Sequence, residues 1–434
     1  MTEVLEDIRT GYKESPLGLI PVDWEIKSIR NISEVSAGGT PSTKVPQYWN
    51  GEIPWMNSGE INLRRVRSVE GRITEEGLNN SSTRLFDQGT VFMALAGQGK
   101  TRGKVAMAEI DTCTNQSLAG IYNLKNVSNE FLFQNLESRY AEIRKMSTGD
   151  GGRGGLNLSI INSIKLALPP LPEQQKIAEI LSTVDDKIEA IEERIKQTQE
   201  LKKGLMQRLL TKGIGHTKFK DSALGQIPES WEIVKLRDIG QLIGGYAFKS
   251  KHFNDKKIGF QVIRMSNVQP YGLELNKSPV YLEKVSDSEK RFLLKKGDVI
   301  ITLTGTIGKT DYGNVAYIET TNELLLNQRV AKFQCYKDIA NSRFIFYLFN
   351  YPLFRNQFFE QGRGGTGNQA NVGKGGFESI KIFLPSIKEQ SEIANILNVV
   401  ESKIEVLLEK KSTYQELKKG LMQQLLNGKK RVKL

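Results

Sequence analysis

Two glycine-bearing stretches end in lysine and threonine, GQGKT (97–101) and GTIGKT (305–310), and have the outline of a loop that cradles nucleotide phosphates. Such a loop needs a leading glycine six residues before the lysine, where the backbone passes close to the phosphate. Ala94 and Leu303 stand at that position instead, which argues against nucleotide binding. Other chemistry is equally thin. There are two histidines, His216 and His252, too few for a histidine-based metal or acid–base site. The two cysteines, Cys113 and Cys335, lie far apart without metal-ligand spacing and are expected to stay reduced in the cytosol. No Asn-Pro-Pro-aromatic stretch suits work on a base amine, no His-Glu pair sits on a helix, and no carboxylate–lysine cluster resembles a nuclease. The residues predict a protein without catalytic groups and without a metal site.

Binding is better supported. The net charge of +12 and a pI near 9.3 point to nucleic acid. Two further glycine-rich loops, GGRGG (151–155) and GRGGTG (362–367), each carry an arginine, Arg153 or Arg363, suited to a phosphate. Arg and Asn can pair two atoms of a base edge, and Lys neutralises phosphate. On that basis the DNA-binding residues in the first half are Lys44, Asn57, Arg64, Arg65, Arg67, Lys100, Arg102 and Arg153. In the second half they are Lys249, Lys251, Arg264, Asn267, Lys309 and Arg363. The acidic start, MTEVLEDIRTGYK, has no apolar stretch of a secretory signal, and no run approaches the roughly 20 apolar residues of a membrane span. A cytoplasmic protein is expected.

The elements that must carry these residues are written twice. QELKKGLMQ occurs at 199–207 and, letter for letter, at 415–423. At an offset of 216 residues, 168–210 matches 384–426 at 24 of 43 positions, which is duplication. A second pair of motifs, YKESPLGLIPVDWEI (12–26) and FKDSALGQIPESWEI (219–233), keeps Trp24 and Trp231 in register. Between these anchors the halves diverge. Two repeats of about 210 residues have constant ends and variable middles, unlike a solenoid of short period.

The constant segments predict long helices. Ile177, Leu181, Val184, Ile188, Ile191 and Ile195 recur in steps of four and three, and Ile393, Leu397, Val400, Ile404, Leu407, Tyr414, Leu421 and Leu425 continue the rhythm. Pro172 and Lys388 mark the starts, and Glu173 and Glu389 suit the positive helix end. Gly204 and Gly420 fall inside the pattern, predicting a kink or a close neighbour there. In the middles, TVFMALA, GDVIITLTG and NVAYIET read as strands, and 131–146 and 342–359 as one or two helices each.

The expected architecture is an α/β (α+β) multidomain chain. Domain one (1–167) leads into a central helix (168–213), then domain two (214–383), then a C-terminal helix with a basic tail (384–434). For the second helix to bury its stripe against the first, the two must run antiparallel as a coiled-coil spacer. The arrangement is then pseudo-two-fold and circular, with the chain's end near its start. Residues 172–210 and 388–426 together carry −1, leaving +13 on the domains and tail. The helices therefore act as a spacer, and 39 helical residues span roughly 58 Å. That would set two different DNA contacts one to one and a half turns apart. Within the nonamer, Leu201, Leu205 and Met206 cannot all face the partner helix, because 201 and 205 share a face and 206 turns about 100° away; Leu205, Met206, Leu421 and Met422 are therefore expected to form two copies of a partner-binding patch.

LPPLPEQQKIAEIL with its echo, LKKGLMQ twice and LGxIPxxWEI twice resemble the specificity subunits of type I restriction–modification systems, over essentially the whole chain. GGTPSTKVPQYWNGEIPWMN (38–57) is similar to the opening of a target-recognition domain in that family. The resemblance implies a non-catalytic DNA specificity subunit whose two domains each read half of a split, asymmetric site on double-stranded DNA. It implies assembly with two adenine-N6 methyltransferase subunits and two ATP-driven restriction subunits. S-adenosylmethionine, ATP and Mg2+ would belong to those partners, with none in this chain. Two other readings stay open: a bipartite DNA-binding regulator or recombination accessory protein without methyltransferase partners, and a stand-alone enzyme.

Overall fold

The computed structural model describes residues 11–97, 101–147, 155–270, 272–320, 323–362 and 369–433. The chain divides into two compact units: 1–193 with 409–434, and 194–408.

In the first unit, strands β1 (Glu34–Ala37), β2 (Trp49–Met56), β3 (Arg65–Val66), β4 (Gly71–Ile73), β5 (Val91–Ala94), β6 (Val105–Ala108), β7 (Cys113–Thr114) and β8 (Leu118–Tyr122) form two sheets. One has the order β1-β8-β5-β6-β3, the other β7-β2-β4, with β7 parallel to β2. The apolar runs expected of strands are buried: β5 is enclosed at every residue. Helix α1 (Asn129–Ser138) starts where Ser128 accepts from the Phe131 N–H, and a shorter helix, Tyr140–Lys145, follows it.

The long helix α2 runs unbroken from Leu171 to Lys212. Up to Glu193 it belongs to the first unit, and beyond that to the second. The second unit repeats the plan with β9 (Gly240–Gly244), β10 (Phe260–Ile263), β11 (Tyr281–Leu282), β12 (Val299–Thr302), β13 (Val315–Tyr317), β14 (Leu324–Leu326) and β15 (Val330–Cys335). Its sheets are ordered β9-β15-β12-β13 and β11-β10-β14, with β14 parallel to β10. Helix α3 (Ser342–Phe349), capped by Asn341, is followed by the helix Pro352–Glu360. The second long helix, α4, spans Ile387–Leu425, and from Glu409 onward it belongs to the first unit.

Most of the heptad seam is buried. Ile177, Leu181, Val184, Ile188 and Ile195 are enclosed on α2, and Ile393, Leu397, Leu407 and Leu425 on α4, whereas Ile191, Val400, Ile404, Tyr414 and Leu421 are half-buried. The helices run antiparallel inside each unit. In the first, Lys418 meets Asp185 and Lys411 meets Glu192; in the second, Lys202 meets Glu401. Every step forward on one helix is a step back on the other.

Gly204 and Gly420 correct the sequence reading. Both long helices pass through them without a break, and a methyl group at either would meet nothing within 4 Å. No neighbour presses on the backbone there.

The duplicated ends close each unit in the same way. Gly213 and Gly428, at φ +64° and +67°, turn the chain just past the two long helices. Each lies against the tryptophan of its unit, Trp231 or Trp24, both fully buried. In the first unit this brings residues 428 and 431 against residues 12 and 23: the Tyr12 hydroxyl donates to the Gly428 carbonyl at 2.9 Å, and Arg431 pairs with Asp23 at 2.8 Å. The strand just after each tryptophan also pairs with the strand preceding a long helix, Glu25–Ser28 with Lys165–Leu168 and Glu232–Lys235 with Lys381–Leu384.

Candidate nucleic-acid interface

Three pins fasten each variable domain to the long helices, and each pin occurs twice. The first is a carboxylate in the opening turn. Glu173 accepts from Trp24 Nε1 at 3.2 Å and from Arg431 at 2.7 Å. Glu389 accepts from Trp231 Nε1 at 3.0 Å and from the Ile214 N–H at 2.9 Å, with His216 Nε2 at 2.8 Å. The second is the next residue, a glutamine. Gln174 accepts from the Ser128 N–H and donates to the Pro169 carbonyl; Gln390 accepts from the Asn341 N–H and donates to the Pro385 carbonyl. Ser128 and Asn341 are the caps of α1 and α3, so one side chain orients a domain helix against a long helix.

The third pin is ionic. Asp185 on α2 takes Lys418 of α4 at 2.8 Å and Gln134 of α1 at 2.8 Å. Glu401 on α4 takes Lys202 of α2 at 2.7 Å and the Tyr347 hydroxyl of α3 at 2.8 Å. The first unit adds Glu137, which binds Lys418 at 2.7 Å and Arg64 at 2.5 Å. Burial pushes the Asp185 carboxyl up, but the charges of Arg64 and Lys418 outweigh it and hold the group below its ordinary value. Glu137 behaves alike: burial opposes ionisation, and the Arg64 hydrogen bond with the Lys418 charge prevails.

Several sequence-derived candidates belong to this scaffold. Arg64 also reaches Asp185 at 3.2 Å, Arg65 forks onto Glu130 at 2.6 Å, and Arg67 pairs with Glu109 at 2.7 Å and with Glu189. These arginines line a cavity of about 850 Å3, and each is paired with a carboxylate of its own chain. Their charge is already matched, so a phosphate would have to displace an internal ion pair. Asn267 is a clearer correction. It is fully buried, and its amide donates to the Glu274 and Lys277 carbonyls while its oxygen accepts from the Arg264 N–H. A side chain so enclosed does not reach a base edge. Arg102 is buried as well.

Lys44, Lys249, Lys251 and Lys309 are exposed, as is Asn57, which caps a short turn through the Gly59 N–H. Arg264 is half-buried, with its guanidinium on the Ser278 carbonyl. Lys100, Arg153 and Arg363 lie outside the described residues. The residues that flank those loops do come together. The Leu156 N–H donates to the Leu95 carbonyl in the first unit, and Val372 donates to Leu303 in the second.

The nonamer patch also needs correcting. Met206 is only 7% exposed and packs with Leu209, Leu210 and Trp231; Leu205 leans on the same core. Leu421 and Met422 pack on the core of the first unit. The exposed apolar residue of each copy is Leu201, at 54%, or Leu417, at 47%.

Sequence reasoning missed one feature altogether. Asn115-Gln116 and Asn327-Gln328 form the turns after β7 and β14, and the signal was visible as NQSLA (115–119) and NQRVA (327–331) inside the divergent middles.

Among the described residues no cluster of His, Cys, Asp or Glu could hold a metal ion, and no helix is long and apolar enough to cross a membrane. Mixed α/β domains pinned in the same way to long helices occur in both units. Residues 21–201 and 228–419 match the Type I restriction modification DNA specificity domain, and the chain belongs to that family. It is 28% identical to the MjaVIII specificity subunit of Methanocaldococcus jannaschii, over 98% of this chain and 96% of the relative. The putative MjaX specificity subunit of the same organism matches at 28%, over 98% and 97%. Among solved structures, the type I restriction–modification S subunit from M. genitalium superposes with a TM-score of 0.60 at 15% identity, covering 93% of this chain and 96% of that one. That likeness concerns the fold.

Proposed function

We propose that the chain is the DNA-reading subunit of a type I restriction–modification complex, in which domain one (1–167) and domain two (214–383) each read one half of a bipartite, asymmetric site. The helical segments 168–213 and 384–434 set the spacing and dock two adenine-N6 methyltransferase subunits. Two restriction subunits complete the assembly in the cytoplasm. S-adenosylmethionine, ATP and Mg2+ act in those partners.

The observation that carries this reading is the contrast between constant pins and changed surfaces. Asp185–Lys418 and Glu401–Lys202 repeat at the same interval, whereas the exposed residues of the two domains differ. Such a design holds two different readers in one frame. Lys44, Lys249, Lys251 and Lys309 supply exposed positive charge for phosphate.

Matched insertion of one heptad in both long helices tests the spacing. It should lengthen the separation by about 10 Å, roughly three base pairs at 3.4 Å each. The preferred spacer, measured by methylation mapping of genomic DNA, should grow accordingly. An unchanged spacer would refute the reading.

A further inference from the structure

The two Asn-Gln turns sit in one hydrogen-bond frame, reproduced bond for bond in domains whose sequences have otherwise diverged. The Asn115 N–H donates to the Met56 carbonyl, Leu118 to Asn115, Leu95 to Ser117, Gly38 to Leu118 and Gly39 to Thr114. In the second unit, Asn327 donates to Ile263, Val330 to Asn327, Leu303 to Arg329, Gly245 to Val330 and Tyr246 to Leu326. Each turn thus leaves the end of a parallel strand pair, Thr114 beside Met56 or Leu326 beside Ile263. The frame tolerates no side chain at its inner wall. A Cβ on Gly38 would lie 2.1 Å from Thr114 Oγ1, and one on Gly245 would lie 2.1 Å from the Asn327 carbonyl oxygen.

What this rigid frame presents outward is polar and differs between the units. Gln116 and Gln328 are exposed in both. The next residue is Ser117 in one and Arg329 in the other, the latter exposed and held at φ +69°. The residue after the receiving carbonyl is Asn57 in one and Arg264 in the other, and the Gly39 position is taken by Tyr246, 39% exposed. The turns also differ in how well they are satisfied. Asn115 Oδ1 accepts from the Ser117 N–H at 3.0 Å, whereas Asn327 Oδ1 and Arg264 Nε are buried without a hydrogen-bond partner among the described residues. Gln116 is steadied by Thr40, whose hydroxyl lies 2.6 Å from its Oε1.

We propose that these turns are the base-reading elements of the two domains: Gln116 with Ser117 in one, Gln328 with Arg329 in the other, each placed against duplex DNA by the constant frame. The proposal rests on the DNA-recognition reading above and adds which residues determine sequence. The chemistry fits. A glutamine amide can pair with N6 and N7 of adenine, an arginine with O6 and N7 of guanine, and a serine with either. The stems of the lysine- and arginine-bearing loops meet the same turn: Leu95 bonds both Ser117 and Leu156, and Leu303 bonds both Arg329 and Val372.

The test is selection of binding sites from a duplex DNA library with randomised bases, using the full chain with its co-expressed modification subunit. Gln328→Ala and Arg329→Asn should each relax base preference by about tenfold or more at one or two adjacent positions of one half-site. The other half-site should stay as it was. Gln116→Ala should do the reverse. Asparagine at 329 keeps a left-handed backbone accessible, and thermal melting confirms that each variant is folded. Folded variants that enrich the wild-type sequence at every position would overturn the turn assignment alone. A wild-type protein that enriches no sequence would overturn the DNA-recognition reading and this inference with it.

Discussion

Lys418 on the second long helix donates to Asp185 on the first at 2.8 Å, in a site where both side chains are about nine-tenths buried. Shifting both partners by the repeat interval of 216 residues gives Lys202 and Glu401, which pair at 2.7 Å in the other unit. The two nodes differ in their third members. Around Asp185 stand Gln134, Arg64 and Glu137; around Glu401 stands the Tyr347 hydroxyl.

Lys418→Met should destabilise the first unit by roughly 3 kcal/mol, because it leaves buried carboxylates facing Arg64 alone. Hydrogen exchange should show faster opening in α1 and in the first half of α2, with α3 nearly unchanged. Equal loosening of both units would contradict the assignment of this lysine to one node.

Acid should act through the same carboxylates. Asp185 and Glu137 have folded-state values below their ordinary ones. Their ionisation therefore stabilises the fold fully above the unfolded value, about pH 4, and the contribution is lost as pH falls through the lower folded values. Thermal melts below pH 4 should show a loss of stability, and Asp185→Asn should flatten that slope. An unchanged slope in Asp185→Asn would place the acid response elsewhere.

The helical glycines offer the opposite effect. Since a methyl group at Gly204 or Gly420 meets nothing within 4 Å, Gly204→Ala and Gly420→Ala should each stabilise by about 1 kcal/mol. The urea midpoint should rise at unchanged slope. A fall would reveal a close neighbour at that backbone.

Docking can be separated from packing within the nonamer. Leu201→Asp should remove one methyltransferase subunit from the assembly and Leu417→Asp the other, with the fold intact. Met206→Asp should instead unfold the second unit, since it places a charge among Leu209, Leu210 and Trp231. Native mass of the complexes decides between them. A double Leu variant that still carries two partner subunits would show that these leucines are only solvent-exposed packing.

What is linear or periodic in this chain is legible from its letters. Identity at a fixed offset exposed the duplication, and steps of three and four residues laid out α2 and α4 and the stripe each had to bury. The Trp24 and Trp231 motifs marked where each unit begins, because a tryptophan in a repeated frame must be packed by something equally constant. What each charge and each exposed face does depends on folding. Arg64 reads as a free cation until folding sets Glu137 and Asp185, 73 and 121 residues away in sequence, against its guanidinium. Asn267 reads as a base contact until the carbonyls of Glu274 and Lys277 close over its amide. Leu201 and Met206 are equally apolar letters, yet the domain covers one face of α2 and leaves the other open. The Asn-Gln turns needed strands more than fifty residues apart to pair in parallel before two adjacent polar letters became a presented edge. Burial and charge pairing are properties of long-range contacts, and no local pattern encodes which partner arrives.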